Sequence, residues 1–145
     1  MAESLIRIKE LMSGEKPDLR TYSPLTLAYL GDAVYELVIR TALVEKANCP
    51  VNKLNRRASS LVKASAQSAM AGAIEPLLTE EEASIYRRGR NAHSPTMAKN
   101  ATMADYRRAT GVEALVGYLY LKGDMDRILE LMDAGLSHAE ESERS

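Results

Sequence analysis

Hydrophobic positions along the chain recur at helical rather than strand spacing, and the punctuation between them predicts a succession of helices. A short helix is expected over residues 3–13, ending at Gly14, with a polar linker over 15–21. Ser23 and Pro24 then supply an N-cap and a first-turn proline for a helix that the pattern carries to about Lys46. The next begins at residues 50–52 and continues to about Ile74, where Pro76 breaks it. Thr79 followed by Glu80, Glu81 and Glu82 is an N-terminal signature for a helix ending near Asn91. Residues 92–102, with Pro95, read as a loop. Thr102 with Asp105 three residues on opens a helix to about Leu121, Gly123 and Asp124 make a turn, and residues 125–136 form a last helix. The expected fold class is all-α, a single domain over 1–136 with a polar, acidic tail over 137–145.

Two helices stand out. Between Pro24 and Val44 most positions are apolar, so this helix is expected to be surrounded by protein. Its charges before Glu45 are Asp32, Glu36 and Arg40, spaced by four and so aligned in one polar stripe. In the penultimate helix, Glu113 is the sole charge between Arg108 and Lys122. A buried ionised carboxylate is costly unless it is paired or binds a metal. Asp32 and Glu113 would therefore either pair with an arginine such as Arg40 or supply hard oxygen ligands to magnesium, which needs only one or two protein carboxylates. Spacing leaves both options open.

Composition agrees with a helical domain: 46% apolar residues, seven Tyr, and no Trp or Phe, so Leu, Val, Ile, Ala and Met must build the core. Cys49 stands alone, which excludes a disulfide framework and a cysteine zinc site and suits a reducing compartment. No apolar run is long enough to span a bilayer and the N-terminal stretch lacks a signal-peptide pattern, so a cytoplasmic protein is expected. The net charge of −1 hides an asymmetry. Residues 46–110 carry eleven Lys and Arg against five Asp and Glu, between two acidic ends. On a helical wheel Lys53, Arg56, Arg57 and Lys63 share one face, opposite Leu54, Leu61, Val62 and Ala69. Arg87, Arg88, Arg90 and Asn91 close their helix, where they can contact phosphates and 2′-hydroxyls or simply complement the helix dipole. Lys99, Asn100, Arg107 and Arg108 would extend that surface. Glu36 reads as a partner for Arg40, Asp105 as a cap, and His93 and His138 as too isolated for acid–base chemistry.

The string Leu-Ala-Tyr-Leu-Gly-Asp-Ala-Val-Tyr-Glu-Leu-Val at 27–38 resembles the signature of ribonuclease III endonuclease domains. Glu113 to Gly117, Glu-Ala-Leu-Val-Gly, is similar to that family's second segment, in the family's order and at about its separation. The full family pattern supplies four acids; here two of those positions are Ala28 and Thr110. The reduced set, with Tyr29, Tyr35 and Glu36 around Asp32, is similar to the Mini-ribonuclease III branch, which lacks the appended double-stranded-RNA-binding domain. The resemblance covers roughly residues 22–135. It implies a homodimeric helical bundle cleaving double-stranded RNA, with Asp32 and Glu113 as catalytic residues holding Mg²⁺ (Mn²⁺ as a substitute) and 5′-phosphate and 3′-hydroxyl products. It further implies ribosomal RNA precursor as substrate, in maturation of the large-subunit RNA, and RNA contact by the 87–91 string. The alternatives are an inactive dimer of the same fold that binds structured RNA, and a helical interaction module with no RNA role.

Overall fold

Six α-helices follow one another in the computed structural model, which describes residues 7–11, 14–92 and 102–144, the last six as helix backbone. They are α1 (Pro24–Lys46), α2 (Val51–Val62), α3 (Ala64–Ile74), α4 (Glu80–Asn91), α5 (Met103–Lys122) and α6 (Met125–Arg144), with 3₁₀ turns at Leu19–Thr21 and Glu75–Leu77 and no strand among the described residues. The starts follow local chemistry. The Ser23 hydroxyl accepts the Thr26 N–H ahead of Pro24, and that of Thr102 accepts the Asp105 N–H at 3.0 Å. Thr79 and Glu82 form a reciprocal capping box at 2.9 and 3.2 Å. Gly123, at φ 89°, closes α5 in a left-handed conformation suited to glycine.

The enclosed helix is α5, half of whose residues are buried, with α1, α3 and α4 packed around it and α6 against α3. Its Val112, Leu115 and Leu119 meet Leu27, Tyr35 and Ile39 of α1 and Ile128 of α6 in one core. The expectation that α1 is surrounded by protein does not hold for the single chain: Tyr29 is 84% exposed, Leu37 63% and Val44 57%. Only one face of α1 reaches α5, and the other is left open.

Two further expectations are corrected. The helix expected over 50–74 breaks at Lys63, whose backbone is extended (φ −63°, ψ 157°). Side chains occupy the carbonyls freed there: the Tyr35 hydroxyl donates to Leu61 O at 3.1 Å and the Gln67 amide to Val62 O at 2.8 Å. The last helix does not stop at 136 but runs to Arg144. Of the helix expected over 3–13, the described part is one turn at 7–9, and most of the expected loop lies in 93–101, outside the described residues.

A long-range ion pair fixes α6 to α4. Arg127 holds both carboxylate oxygens of buried Glu82 at 2.8 Å and also donates to Leu77 O and Glu130. The Arg127 hydrogen bonds keep the Glu82 carboxyl below its ordinary pKa.

Candidate active site

Asp32 and Glu113 sit at the crossing of α1 and α5, and glycines make that crossing close. Gly31 immediately precedes Asp32, and Gly117 lies one turn after Glu113. A β-carbon on Gly31 would overlap the Glu113 carbonyl and lie 2.8 Å from the Gly117 nitrogen; one on Gly117 would overlap the Leu27 carbonyl. The two backbones therefore touch, and the side chains flanking the contact are brought together. The Asp32 and Glu113 carboxyls come close enough to hydrogen-bond when one is protonated.

This neighbourhood is electrostatically uncompensated. Burial first, then the hydrogen bond to Asp32, then the charges of Asp32 and Glu36 push the Glu113 pKa up to about 9. Arg40, offered by the sequence as a partner for the acids, pairs instead with Glu36 at 3.2 Å. Among the described residues neither Asp32 nor Glu113 has a basic partner. The Tyr35 ring is buried beside them, and burial followed by the Glu113 charge raises its hydroxyl pKa. The two positions that lack acids are accounted for: Ala28 is buried, and the Thr110 hydroxyl donates to Tyr106 O at 3.0 Å within its own helix. Among the described residues no group of three or more His, Cys, Asp or Glu is arranged to hold a metal, so the site is a two-acid one.

The basic residues divide by location. Arg56 and Arg57 are exposed on α2, but Lys63 stands in the break after it, so the single basic face expected for Lys53, Arg56, Arg57 and Lys63 on one continuous helix is not formed. Ala69, expected opposite that face, is exposed on α3. Arg87, Arg88 and Asn91 are exposed at the end of α4, where Arg88 reaches Tyr22 O at 3.4 Å, and the Arg90 guanidinium lies over the Tyr86 ring. Lys99 lies outside the described residues. Helices α4 and α5 run antiparallel, with Gly89 against Gly111 and Glu81 against Tyr118 and Lys122. The arginines ending α4 thus share one end of the bundle with Arg107 and Arg108. A surface cavity of about 670 Å³ lies at the opposite end, lined by Thr79, Glu81, Tyr118 and Arg127, and contains neither acid of the pair.

Sequence reasoning missed the role of the glycines, although both stand inside the quoted strings. It also missed the Glu82–Arg127 pair, for which forty-five positions of separation leave no local signal.

The ribonuclease III domain model matches residues 25–124 of this chain. The Mini-ribonuclease 3 of Clostridium tetani (strain Massachusetts / E88) is 47% identical over 131 residues, covering 90% of this chain and 87% of that protein. That of Symbiobacterium thermophilum is 48% identical over 120 residues, covering 83% and 92%. The crystal structure of a protein from Fusobacterium nucleatum superposes with a TM-score of 0.75 at 33% identity, covering 81% of this chain and 96% of that one.

Proposed function

The chain belongs to the ribonuclease III domain family, in its Mini-ribonuclease 3 group, and from that premise we propose that it is a magnesium-dependent endoribonuclease cutting double-stranded RNA. It is a hydrolase acting on RNA, and the family works with a divalent metal; the duplex, the identity of the metal and the products (5′-phosphate and 3′-hydroxyl) are the finer part of the proposal. The observation that carries it is the Asp32–Glu113 pair, two carboxyls forced together without a basic partner among the described residues.

The donor set fits a hard divalent cation. Two carboxyls in contact, one of them holding its proton to about pH 9, need positive charge more than they need another hydrogen bond. Asp32 and Glu113 would hold the ion, with Mn²⁺ able to replace Mg²⁺. When bound, a divalent cation supplies Lewis acidity at the scissile phosphate and lowers the pKa of water. The protein contributes the rest. Glu113 would have to give up its proton to serve as a ligand, and the glycine crossing keeps the two acids at fixed separation. With Arg40 held by Glu36, Asp32 on the same stripe has no basic partner among the described residues. Arg56, Arg57, Arg87, Arg88, Arg90 and Asn91, with Lys63 and Lys99 as further candidates, supply contacts to a substrate read mostly by shape and 2′-hydroxyls.

The active form proposed is a homodimer. An open face of α1 carrying Tyr29, Leu37 and Val44 supports it, because side chains this apolar call for a covering surface. The substrate proposed is precursor of large-subunit ribosomal RNA, processed in the cytoplasm by a catalytic domain spanning 1–136. No helix among the described residues is long and apolar enough to cross a membrane. Ala28 and Thr110, where the family pattern has acids, favour a second possibility, an inactive fold that binds structured RNA. Incubation of the purified protein with a long RNA duplex separates the two. Metal-dependent cleavage supports the enzyme, and binding without cleavage under Mg²⁺ or Mn²⁺ supports the inactive binder.

A further inference from the structure

Tyr86 of α4 packs against the backbone of Gly111 in α5, so close that a β-carbon there would stand 2.7 Å from its ring. Its hydroxyl is buried, and Glu75 is the acid placed to accept its proton. The charges of two arginines act on that hydroxyl. Arg90, one turn on in α4, covers the ring with its central carbon 5.8 Å from the centroid. Arg108, one turn before Val112 in α5, reaches across to α3, where its Nη1 donates to the buried Ser68 hydroxyl at 3.4 Å. Among the described residues neither arginine pairs with a carboxylate. Glu75, just past the end of α3, is the acid that faces the cluster: burial, then the Glu75 charge and its hydrogen bond, push the Tyr86 hydroxyl up to about 12, against the pull of Arg90 and Arg108.

Two planar donors, held over an aromatic ring and against a serine without saturating their hydrogen bonds, suit the oxygens of a phosphodiester. Arg108 precedes Glu113 by five positions on α5, an axial rise of about 7.5 Å and a turn of about 140°, so the cluster lies near the level of the acids but on another face of the helix. We propose that Arg90 and Arg108, oriented by Tyr86 and Ser68, form a seat for one backbone phosphate of duplex RNA, which Glu75 weakens by competing for the same two cations. The seat rests on the RNA-cleaving function proposed above and adds to it a defined phosphate contact on the α3–α4–α5 face, separate from Arg87 and Arg88.

The test is duplex RNA binding by the full chain, with Ca²⁺ in place of Mg²⁺ to hold off cleavage, measured as dissociation constant against KCl concentration. Arg90→Ala with Arg108→Ala is expected to weaken binding about tenfold at low salt and to flatten the log–log salt dependence by about one unit, the signature of one lost phosphate contact. Arg90→Lys with Arg108→Lys keeps the charges and should retain the salt slope while losing part of the affinity. Glu75→Gln should tighten binding severalfold. Melting curves by circular dichroism check that each variant is folded. A folded double-alanine variant with wild-type affinity and slope overturns the seat, as does Glu75→Gln that leaves binding unchanged or weakens it. Should the alanine variant fail to fold, the lysine pair and Glu75→Gln decide. Wild-type protein that binds no duplex even at low salt overturns the parent function and the seat together, an outcome distinct from loss confined to the variants.

Discussion

Gly31 of α1 lies against the Glu113 carbonyl of α5 with no room for a β-carbon, and this contact sets the distance between the two acids of the site. Four positions along, Gly117 repeats the contact against Leu27. A helix pair carrying larger residues at these points would stand further apart, and Asp32 and Glu113 would separate with it. Gly31→Ala or Gly117→Ala is therefore expected to destabilise the fold by about 3 kcal/mol and to cut activity further than the loss of folded protein explains. Denaturant unfolding, together with turnover normalised to folded protein, measures both effects.

The raised pKa of Glu113 gives the metal-free protein a characteristic response to pH. In the unfolded chain this carboxyl titrates near 4.5, and in the folded chain near 9. Between those values the folded state keeps a proton that the unfolded state has released, so the Glu113 contribution to stability falls as pH rises from about 5 to 9. Melting temperature in EDTA should decline over that range, and Glu113→Gln should remove the Glu113 part of the decline and be the more stable protein at pH 8. Added Mg²⁺ should raise the wild-type melting temperature more at pH 8 than at pH 6, because the ion competes with the proton.

The open face of α1 predicts self-association. Tyr29→Asp with Leu37→Asp places two charges among exposed apolar side chains. Sedimentation velocity should show a dimer for the wild type and a monomer for the variant, with the monomer retaining its helical circular dichroism. A wild-type monomer at micromolar concentration would contradict the dimer.

Arg127 offers a control that is structural and distant from the acids. Replacing it with Met leaves Glu82 buried without its counter-charge, an expected loss of about 3 kcal/mol, while kcat at a temperature where the variant is folded should stay at the wild-type value. Thermal unfolding and steady-state kinetics on the same sample check the pair of outcomes.

The sequence was most legible where structure is local. Ser23 with Pro24, Thr79 with Glu82, and Gly123 each mark a helix end through their own backbone chemistry, and the structure places ends at those points. The break at Lys63 carries no such mark, since no glycine or proline stands there. It is held by Tyr35 from α1 and by Gln67, contacts that exist only after the helices pack. Apolar content alone likewise could not separate α5, enclosed by its own chain, from α1, whose second face stays open. For the site, periodicity showed two acids in apolar helices but not that they meet. That expectation came from the resemblance, and its physical cause, the glycine crossing, became visible only in the packed backbone.

Cleavage of a long RNA duplex by the purified protein, with and without Mg²⁺, tests the central claim most directly when run beside Asp32→Asn and Glu113→Gln. Partners outside the ligand set typically cost a metal site about 10- to 100-fold when removed, so loss of either acid should cost more than about 100-fold in kcat, in a protein that still folds and still binds duplex. The prediction is strand cleavage that requires the metal and disappears in both variants. Cleavage unchanged in either folded variant, or none from the wild type under Mg²⁺ or Mn²⁺, would contradict it.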